Sequence, residues 1–259
     1  MPAGQRAAVR SPGAWLTTVA GRLCLDLLGS ARLRRERYVG EWVTEPLPGR
    51  SVRPGRGGST LVDPADQITL DESVHMAFLV LLDTMTPAER VAFVLHDGFR
   101  HPFPEIASIV GRSPAATRQL ASSARRRIAA SPAPVTSASE RAGVVRRFKQ
   151  AWEARDIDAL VGLLDPDAVA VGSGGGLVSA QPQPVHGAVR VAEFLVGRAD
   201  ALAGVTIMES TVNAHPGLIA RVGDETVAVM AFEVVEGRVA RLWSVLNPEK
   251  LSTWNEGGA

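Results

Sequence analysis

Apolar residues recur at helical spacing over residues 12–39, where Trp15, Leu16, Val19, Leu23, Leu27 and Leu28 form a stripe. Ser11-Pro12 supplies a cap and a first-turn proline, and the stripe runs into Arg32, Arg34, Arg35 and Arg37. The pattern lapses over 46–66, a stretch of Pro, Gly, Arg and Ser that predicts a linker without regular structure. Helical period returns between Asp71 and Ala130. Thr86-Pro87-Ala88-Glu89 is a capping box with proline at the first helical position, and the helix it opens buries Val91, Val94 and Leu95. A second helix contains Phe103 to Val110 and stops at Gly111, a residue able to adopt a left-handed turn. The third opens with Ser113 and Pro114 and continues to Ile128. Ala116, Leu120, Ala124 and Ile128 repeat every four residues and are predicted to face the core. Thr117, Arg118, Gln119, Ser122 and Arg125 or Arg126 are left facing outward.

Ser131-Pro132-Ala133-Pro134 breaks this unit and opens a second linker, 131–139. Beyond it the periodicity changes. Val144, Val145, Phe148 and Trp152 mark the buried stripe of a helix ending near Asp156, and a short helix from Asp158 to Leu164 leads into a strand at 167–171. Another helix spans roughly Ala188 to Ala201. Alternation then predicts strands over Val205 to Ala214, Leu218 to Val222, Thr226 to Val235 and Val239 to Leu246. Turns at Gly223-Asp224 and Glu236-Gly237 join the last three into a meander. Helices followed by a curved antiparallel sheet make an α+β cone. The expected architecture is multidomain: an all-α helix-turn-helix domain at 71–130, then an α+β cone at 140–255.

Composition narrows the class of molecule. The 259 residues carry a formal net charge of only +1, but the charge is segregated: +6 over 1–60, −6 over 61–99, +5 over 100–130 and −3 over 141–259. Positive blocks suit phosphate backbones, whose neutralisation releases counterions; solvated helix faces give the same totals. No uninterrupted apolar stretch approaches the ~20 residues of a membrane helix. Met1 to Arg6 lack the apolar core of a secretory signal, so a cytoplasmic protein without membrane contact is expected. The single cysteine, Cys24, can form neither an internal disulfide nor a cysteine-rich zinc cage, and Leu23, Leu25 and Leu27 around it suggest a structural thiol. The five histidines are scattered without metal-ligand spacing, and no Gly-Lys-Ser/Thr follows Gly174-Gly175-Gly176 to make a phosphate cradle. No metal and no cofactor are expected.

A short helix, a glycine-containing turn and a helix with a polar, basic outer face form a helix-turn-helix. Such a third helix fits a major groove, where Arg reads guanine and Gln reads adenine. A plain three-helix bundle offers the other reading, because an arginine cluster at a helix C-terminus also satisfies the helix dipole.

Leu82 to Asp97, Phe103 to Gly111 and Ser113 to Arg127 together resemble region 4 of extracytoplasmic-function sigma factors, while Ala14 to Val19 and Arg22 to Asp26 resemble the end of their region 2. Tyr38 to Leu47 resembles the Trp-Leu-Pro-Glu-Pro-Leu linker motif of the subgroup with a SnoaL-like C-terminal extension. Asn247-Pro248-Glu249-Lys250-Leu251 resembles that subgroup's Asn-Pro-Asp-Lys-Leu motif. Its Asp-Gly-Gly-Gly-Lys motif is represented by Ser173-Gly174-Gly175-Gly176-Leu177, with both charged ends replaced.

The resemblance implies a remnant of region 2 and the start of the linker at 1–45, a linker at 46–70, region 4 at 71–130, a second linker at 131–139 and a SnoaL-like domain at 140–255. It also implies promoter −35 DNA and core RNA polymerase as partners. Arg112, Ser113, Thr117, Arg118, Gln119, Ser122, Arg125 and Arg126 are the expected DNA contacts. Regulation would run through contact of the C-terminal domain with the linker, at Trp42, Glu45, Pro46, Leu47, Gly174, Gly175, Gly176, Asn247, Pro248 and Lys250. With most of region 2 missing before residue 12, the chain alone is expected to support little promoter-specific initiation. Relatives of the cone use Asp and His as acid–base groups, which makes Asp165, Asp167, His186, Glu209 and His215 the candidates here. No two of them share a spacing that guarantees the contact such chemistry needs, so no catalytic residue is expected. The alternative reading is a SnoaL-like ligand-binding or isomerase domain fused to a helix-turn-helix unit that no longer initiates transcription.

Overall fold

The computed structural model describes residues 12–36, 38, 41–49, 76–130, 136–181, 183–198 and 204–255. Most of the first linker, 50–75, together with Arg37 and 131–135, lies outside the described residues. Tertiary contacts divide the chain into two units, Met1–Arg37 with Leu81–Pro132 and Tyr38–Val80 with Ala133–Ala259.

The first unit is helical. It contains α1 (Pro12–Glu36), the end of α2 (Met76–Asp83), α3 (Pro87–Phe93), a π-helical turn (Val94–Gly98), α4 (Phe103–Val110) and α5 (Pro114–Ala129). Both halves of the capping box form at α3: the Thr86 hydroxyl accepts the Glu89 N–H at 3.3 Å, and the Glu89 carboxylate accepts the Thr86 N–H at 2.9 Å. Gly111 ends α4 at φ 68°, a conformation that a side chain with a Cβ adopts only with strain. The Ser113 hydroxyl then caps α5 by accepting the Ala116 N–H at 3.2 Å. Ala92, Ile106 and Ala121 form the centre of the core. On α1, Gly21 comes so close to Ile109 that a methyl group there would meet its Cγ2 at 2.6 Å. The apolar stripe of α1 is not core: Leu16, Leu23 and Leu27 are each more than half exposed. Cys24 is exposed too, so its leucine neighbours do not bury it.

The buried face of α5 differs from the four-residue repeat expected of it. Thr117, Ala121 and Ala124 are fully buried, whereas Ala116, Leu120 and Ile128 are half-buried. Steps of four residues drift by about 40° around a helix of 3.6 residues per turn, so a straight buried face must mix threes and fours. Thr117, Ala121 and Ala124, spaced by four and then three, do so.

The second unit holds α6 (Ala138–Glu153), α7 (Ile157–Leu163), β1 (Leu164–Ser173), β2 (Val185–His186), α8 (Ala188–Gly197), β3 (Thr206–Val212), β4 (His215–Val222), β5 (Glu225–Val235), β6 (Arg238–Val245), a 3₁₀ turn (Pro248–Lys250) and α9 (Ser252–Asn255). One sheet runs in the order β2-β1-β6-β5-β4-β3. It is mixed, not wholly antiparallel, because β1 pairs parallel with β6, Ala170 opposite Leu242. Two-residue β2, which has no readable alternation, pairs with β1.

Helices cover one sheet face. Val144, Phe148 and Trp152 of α6 and Val191 and Leu195 of α8 pack against Leu218, Met230, Phe232 and Leu242. The Phe148 and Phe232 rings meet edge-on at 5.1 Å, and Trp152 donates its indole N–H to the Leu195 carbonyl at 3.0 Å. Burying each such side chain contributes roughly 1.5–3 kcal/mol. The opposite face is covered as well: Val212, Val229, Ala231, Trp243 and Val245 pack with Val43, Met76 and Leu251. Every residue of β5 from Val229 to Val234 is therefore buried, which erases its alternation.

Two buried carboxylates respond to pH with opposite sign. Burial raises the pKa of Glu89, but hydrogen bonds from the Thr86 backbone, Ser123 and the Thr86 hydroxyl, with the charge of Arg127, outweigh it and hold the value below the usual 4.5. Its stabilisation is complete above that value and is lost on acidification. Burial raises the pKa of Glu233 above the usual 4.5, and Arg241, 3.3 Å away, only partly offsets it. Glu233 therefore costs stability as pH rises through its folded pKa. Thermal melts should show Glu89→Gln less stable than the parent by about 1–2 kcal/mol at pH 7, a deficit that shrinks in acid. Glu233→Gln should be as stable as the parent or more so at pH 7, with any advantage vanishing below its ordinary pKa. Parallel pH profiles for either variant and the parent would contradict the assignment.

Candidate nucleic-acid interface and linker seat

The orientation of α5 is fixed by contacts on its flanks. Arg125 makes two hydrogen bonds to Asp97, at 2.8 and 3.1 Å. Opposite, Arg127 lies 3.7 Å from buried Glu89 and donates to the Thr84 carbonyl at 3.1 Å. Arg118 lies 5.3 Å over the Phe103 ring, and the His96 ring stacks on the same phenylalanine at 3.9 Å. These contacts leave one outward face, an open groove lined by Arg112, Gln119, Ser122, Ser123 and Arg126, together with buried Glu89 and half-buried Ala116 and Leu120. Gln119, Ser122 and Arg126 are exposed along it, and Arg112 and Ser113 are exposed in the turn before it.

Two of the expected contacts are placed differently. Thr117 is fully buried and donates its hydroxyl to the Ser113 carbonyl at 3.0 Å, so it cannot reach a ligand at this surface. A repeat of exclusive fours drifts off the buried face, and that drift is what separates the expected outward position of Thr117 from its buried one. Arg125 is committed to Asp97 and acts as a brace. Asp97 and Glu89, the residues that aim α5, had no signal of their own beyond the capping box.

A second set of residues meets on the sheet face away from the helices. Residues 41–47 run there without regular secondary structure, and the isolated bridge Pro48–Val212 sets the segment next to β3. Leu47 donates its N–H to the Asn213 side-chain oxygen at 2.5 Å and accepts the Asn213 N–H at 2.8 Å. Trp254 donates its indole N–H to the Pro46 carbonyl at 2.8 Å. Buried Lys250 donates to the Val43 carbonyl at 2.5 Å, with its ammonium 3.5 Å from the Trp42 ring centre and 4.4 Å from that of Tyr38. Tyr38 and Trp42 meet edge-on at 5.0 Å. The Tyr38 hydroxyl also pairs with the Ser173 hydroxyl at 2.7 Å and accepts from the Asn247 amide at 3.3 Å.

The glycine turn closes this seat. Gly175 sits at φ 65°, and a Cβ on it would come within 3.0 Å of the Tyr38 hydroxyl. The structure thus brings together Trp42, Pro46, Leu47, Gly175, Asn247 and Lys250, while Glu45, Gly176 and Pro248 stay exposed. Gly174 is buried beneath the turn. Asn213 and Trp254 were not legible as partners, because their contacts are made to backbone groups far away in sequence.

The acid–base candidates do not converge. Asp165 caps the Asp167 N–H at 2.9 Å, and Glu209 pairs with Arg146 at 3.5 Å on the surface. His186 is exposed on β2, and half-buried His215 sits across from Val212. Among the described residues no three His, Cys, Asp or Glu side chains cluster as a metal site, and no helix is long and apolar enough to cross a membrane.

Residues 75–128 match the sequence profile of sigma-70, region 4. The chain is 37% identical over 256 residues to the ECF RNA polymerase sigma factor SigJ of Mycobacterium tuberculosis, covering 94% of this chain and 80% of that protein. It is 35% identical over 239 residues to the probable ECF RNA polymerase sigma factor SigI of the same species, covering 92% and 77%. The crystal structure of the M. tuberculosis extracytoplasmic function sigma factor SigJ superposes with a TM-score of 0.69 at 33% identity, over 95% of this chain and 84% of that one. A region 4 helical unit is joined here to an α+β unit built on one mixed six-stranded sheet. The chain belongs to the extracytoplasmic-function RNA polymerase sigma factors.

Proposed function

We propose that this chain reads the −35 element of promoter DNA through α5, works with core RNA polymerase, and is regulated by the hold of its C-terminal unit on residues 41–49. The outward face of α5 carries the first part of this reading. Gln119, Ser122 and Arg126 occupy one exposed face of a helix whose flanking arginines are anchored internally. A helix of this kind fits a B-DNA major groove about 12 Å wide, where Gln pairs with adenine and Arg with guanine. Arg112 and Arg118 border the face and are suited to phosphate, which positions the helix without carrying sequence information. Membership of the sigma-factor family supports core polymerase as the partner. The linker seat supports the regulatory part, since residues 43–47 are tied to the C-terminal unit by hydrogen bonds from Lys250 and Trp254 and with Asn213.

Two outcomes test the reading. In fluorescence anisotropy with a promoter duplex, Gln119→Ala/Arg126→Ala should lose about 1–3 kcal/mol per base contact, relaxing specificity at those positions. Arg112→Ala should weaken all sequences alike and reduce the salt slope by about one. Unchanged binding by the double variant would remove α5 as the reader. For the regulatory part, Lys250→Ala should raise hydrogen exchange across 41–49 and alter polymerase-dependent promoter binding, while leaving duplex binding by the chain alone as it was. Unchanged exchange and unchanged polymerase-dependent binding would remove the linker seat as a control point.

A further inference from the structure

Between α6, α8 and the sheet lies a cavity of about 90 Å³. It exists because inward positions on three strands carry alanine, Ala170 on β1, Ala220 on β4 and Ala228 on β5, beneath the Trp152 and Phe194 rings. Close-packed interiors rarely leave such space, and keeping it empty costs stability. The wall is almost wholly apolar, apart from the Ser244 hydroxyl, the Gln181 side chain and Arg198. Gln181 and Arg198 are half-buried, which places them at the rim. Arg198 is held there by a 3.1 Å hydrogen bond to the Ser179 carbonyl and by the Phe194 ring, 5.6 Å from its guanidinium. Among the described residues no carboxylate or imidazole lines the space. Such a wall accepts an apolar body and a neutral or anionic head, and disfavours a cation. Its volume is below the roughly 150 Å³ of a closed void that takes benzene, so an occupant sinks only part of one ring or a short branched chain between the alanines and leaves its polar head at the Gln181 and Arg198 rim.

The cavity and the linker seat are built from the same two runs of chain. Gly172, Ala180 and Gln181 border the cavity, while Ser173 and Gly175, between them, contact Tyr38 and Asn247. Ser244 on β6 and Leu246 just after it line the cavity, and the next residue, Asn247, donates to Tyr38. The Ser173 carbonyl ties the two runs together by accepting the N–H groups of Leu246 at 2.9 Å and Asn247 at 3.1 Å. A molecule that shifts Gln181 or Ser244 therefore acts on the groups that hold Tyr38.

We propose that this cavity binds a small aromatic or branched-aliphatic molecule with a neutral or anionic polar head, and that occupancy sets how firmly residues 41–49 are held. The second half rests on the regulatory reading of the linker seat, whereas binding itself does not. The test uses the full chain, with benzoate, benzyl alcohol and benzylamine as probes, followed by calorimetry and by hydrogen exchange. Benzoate or benzyl alcohol should bind saturably at one site and benzylamine should not. Ala228→Met, which fills the cavity from the sheet, should weaken binding at least about tenfold. Ser244→Ala, which removes only a hydroxyl, should weaken it with an unchanged melting temperature. Exchange over 41–49 should differ between free and saturated chain. Absence of saturable binding, equal binding of benzylamine, or undiminished binding by both variants would overturn the site. Binding without any change over 41–49, in a chain whose Lys250→Ala variant does change there, would overturn the coupling alone. If Lys250→Ala leaves that segment unchanged as well, the regulatory reading fails together with the coupling.

Discussion

The arrangement of the second unit depends on one buried cation. Lys250 is 7% exposed, and its ammonium would be costly to bury without compensation. The compensation comes from the Trp42 and Tyr38 ring faces and the Val43 carbonyl, all on the linker side. A desolvated cation–π contact contributes about 2 kcal/mol or more, so neither partner is easily given up. The 3₁₀ turn that presents Lys250 is capped by the Asn247 side chain, which accepts the Glu249 N–H at 3.0 Å. The same asparagine donates to Tyr38. One short tail thus serves as a structural cap and as the receiver of the linker.

The sheet explains why a linker is held so closely. The face turned away from α6 and α8 bears Val229, Ala231, Trp243 and Val245, an apolar surface that water would penalise if left bare. Residue Val43 and the start of α2 cover it, and the Pro48–Val212 bridge occupies part of the free edge of β3. Val43 is therefore part of the hydrophobic core of the second unit. In the first unit the logic is electrostatic. Asp97 and Glu89 take up Arg125 and Arg127, and the arginines left outward share one side of α5.

Much of this was legible in the sequence where local chemistry decides structure. Thr86-Pro87-Ala88-Glu89, Gly111 and Ser113-Pro114 fix helix ends by hydrogen bonds within four residues, and those ends lie where the residues imply. The helices of the second unit are legible from their apolar period, and the meander strands from apolar runs separated by the Gly223-Asp224 and Glu236-Gly237 turns. Elements defined by distant contacts were not. Short β2 exists only because β1 offers it an edge, and the parallel pairing of β1 with β6 has no local signature. Thr117 was misplaced because a repeat of exclusive fours slides off the buried face. Lys250 drew notice through a resemblance, yet its burial between two rings more than 200 residues upstream could be learned only from the fold.

The central claim is that Lys250 and Trp42 act as one interaction that holds the linker. A double-mutant cycle with Lys250→Met and Trp42→Leu measures this directly, read as the hydrogen-exchange protection of the Leu47 and Asn213 amides, which bond across the linker contact. Coupled residues give a double variant hardly worse than the worse single variant, with an interaction energy of about 1–2 kcal/mol. Strictly additive losses, or protection indifferent to both substitutions, would contradict the account.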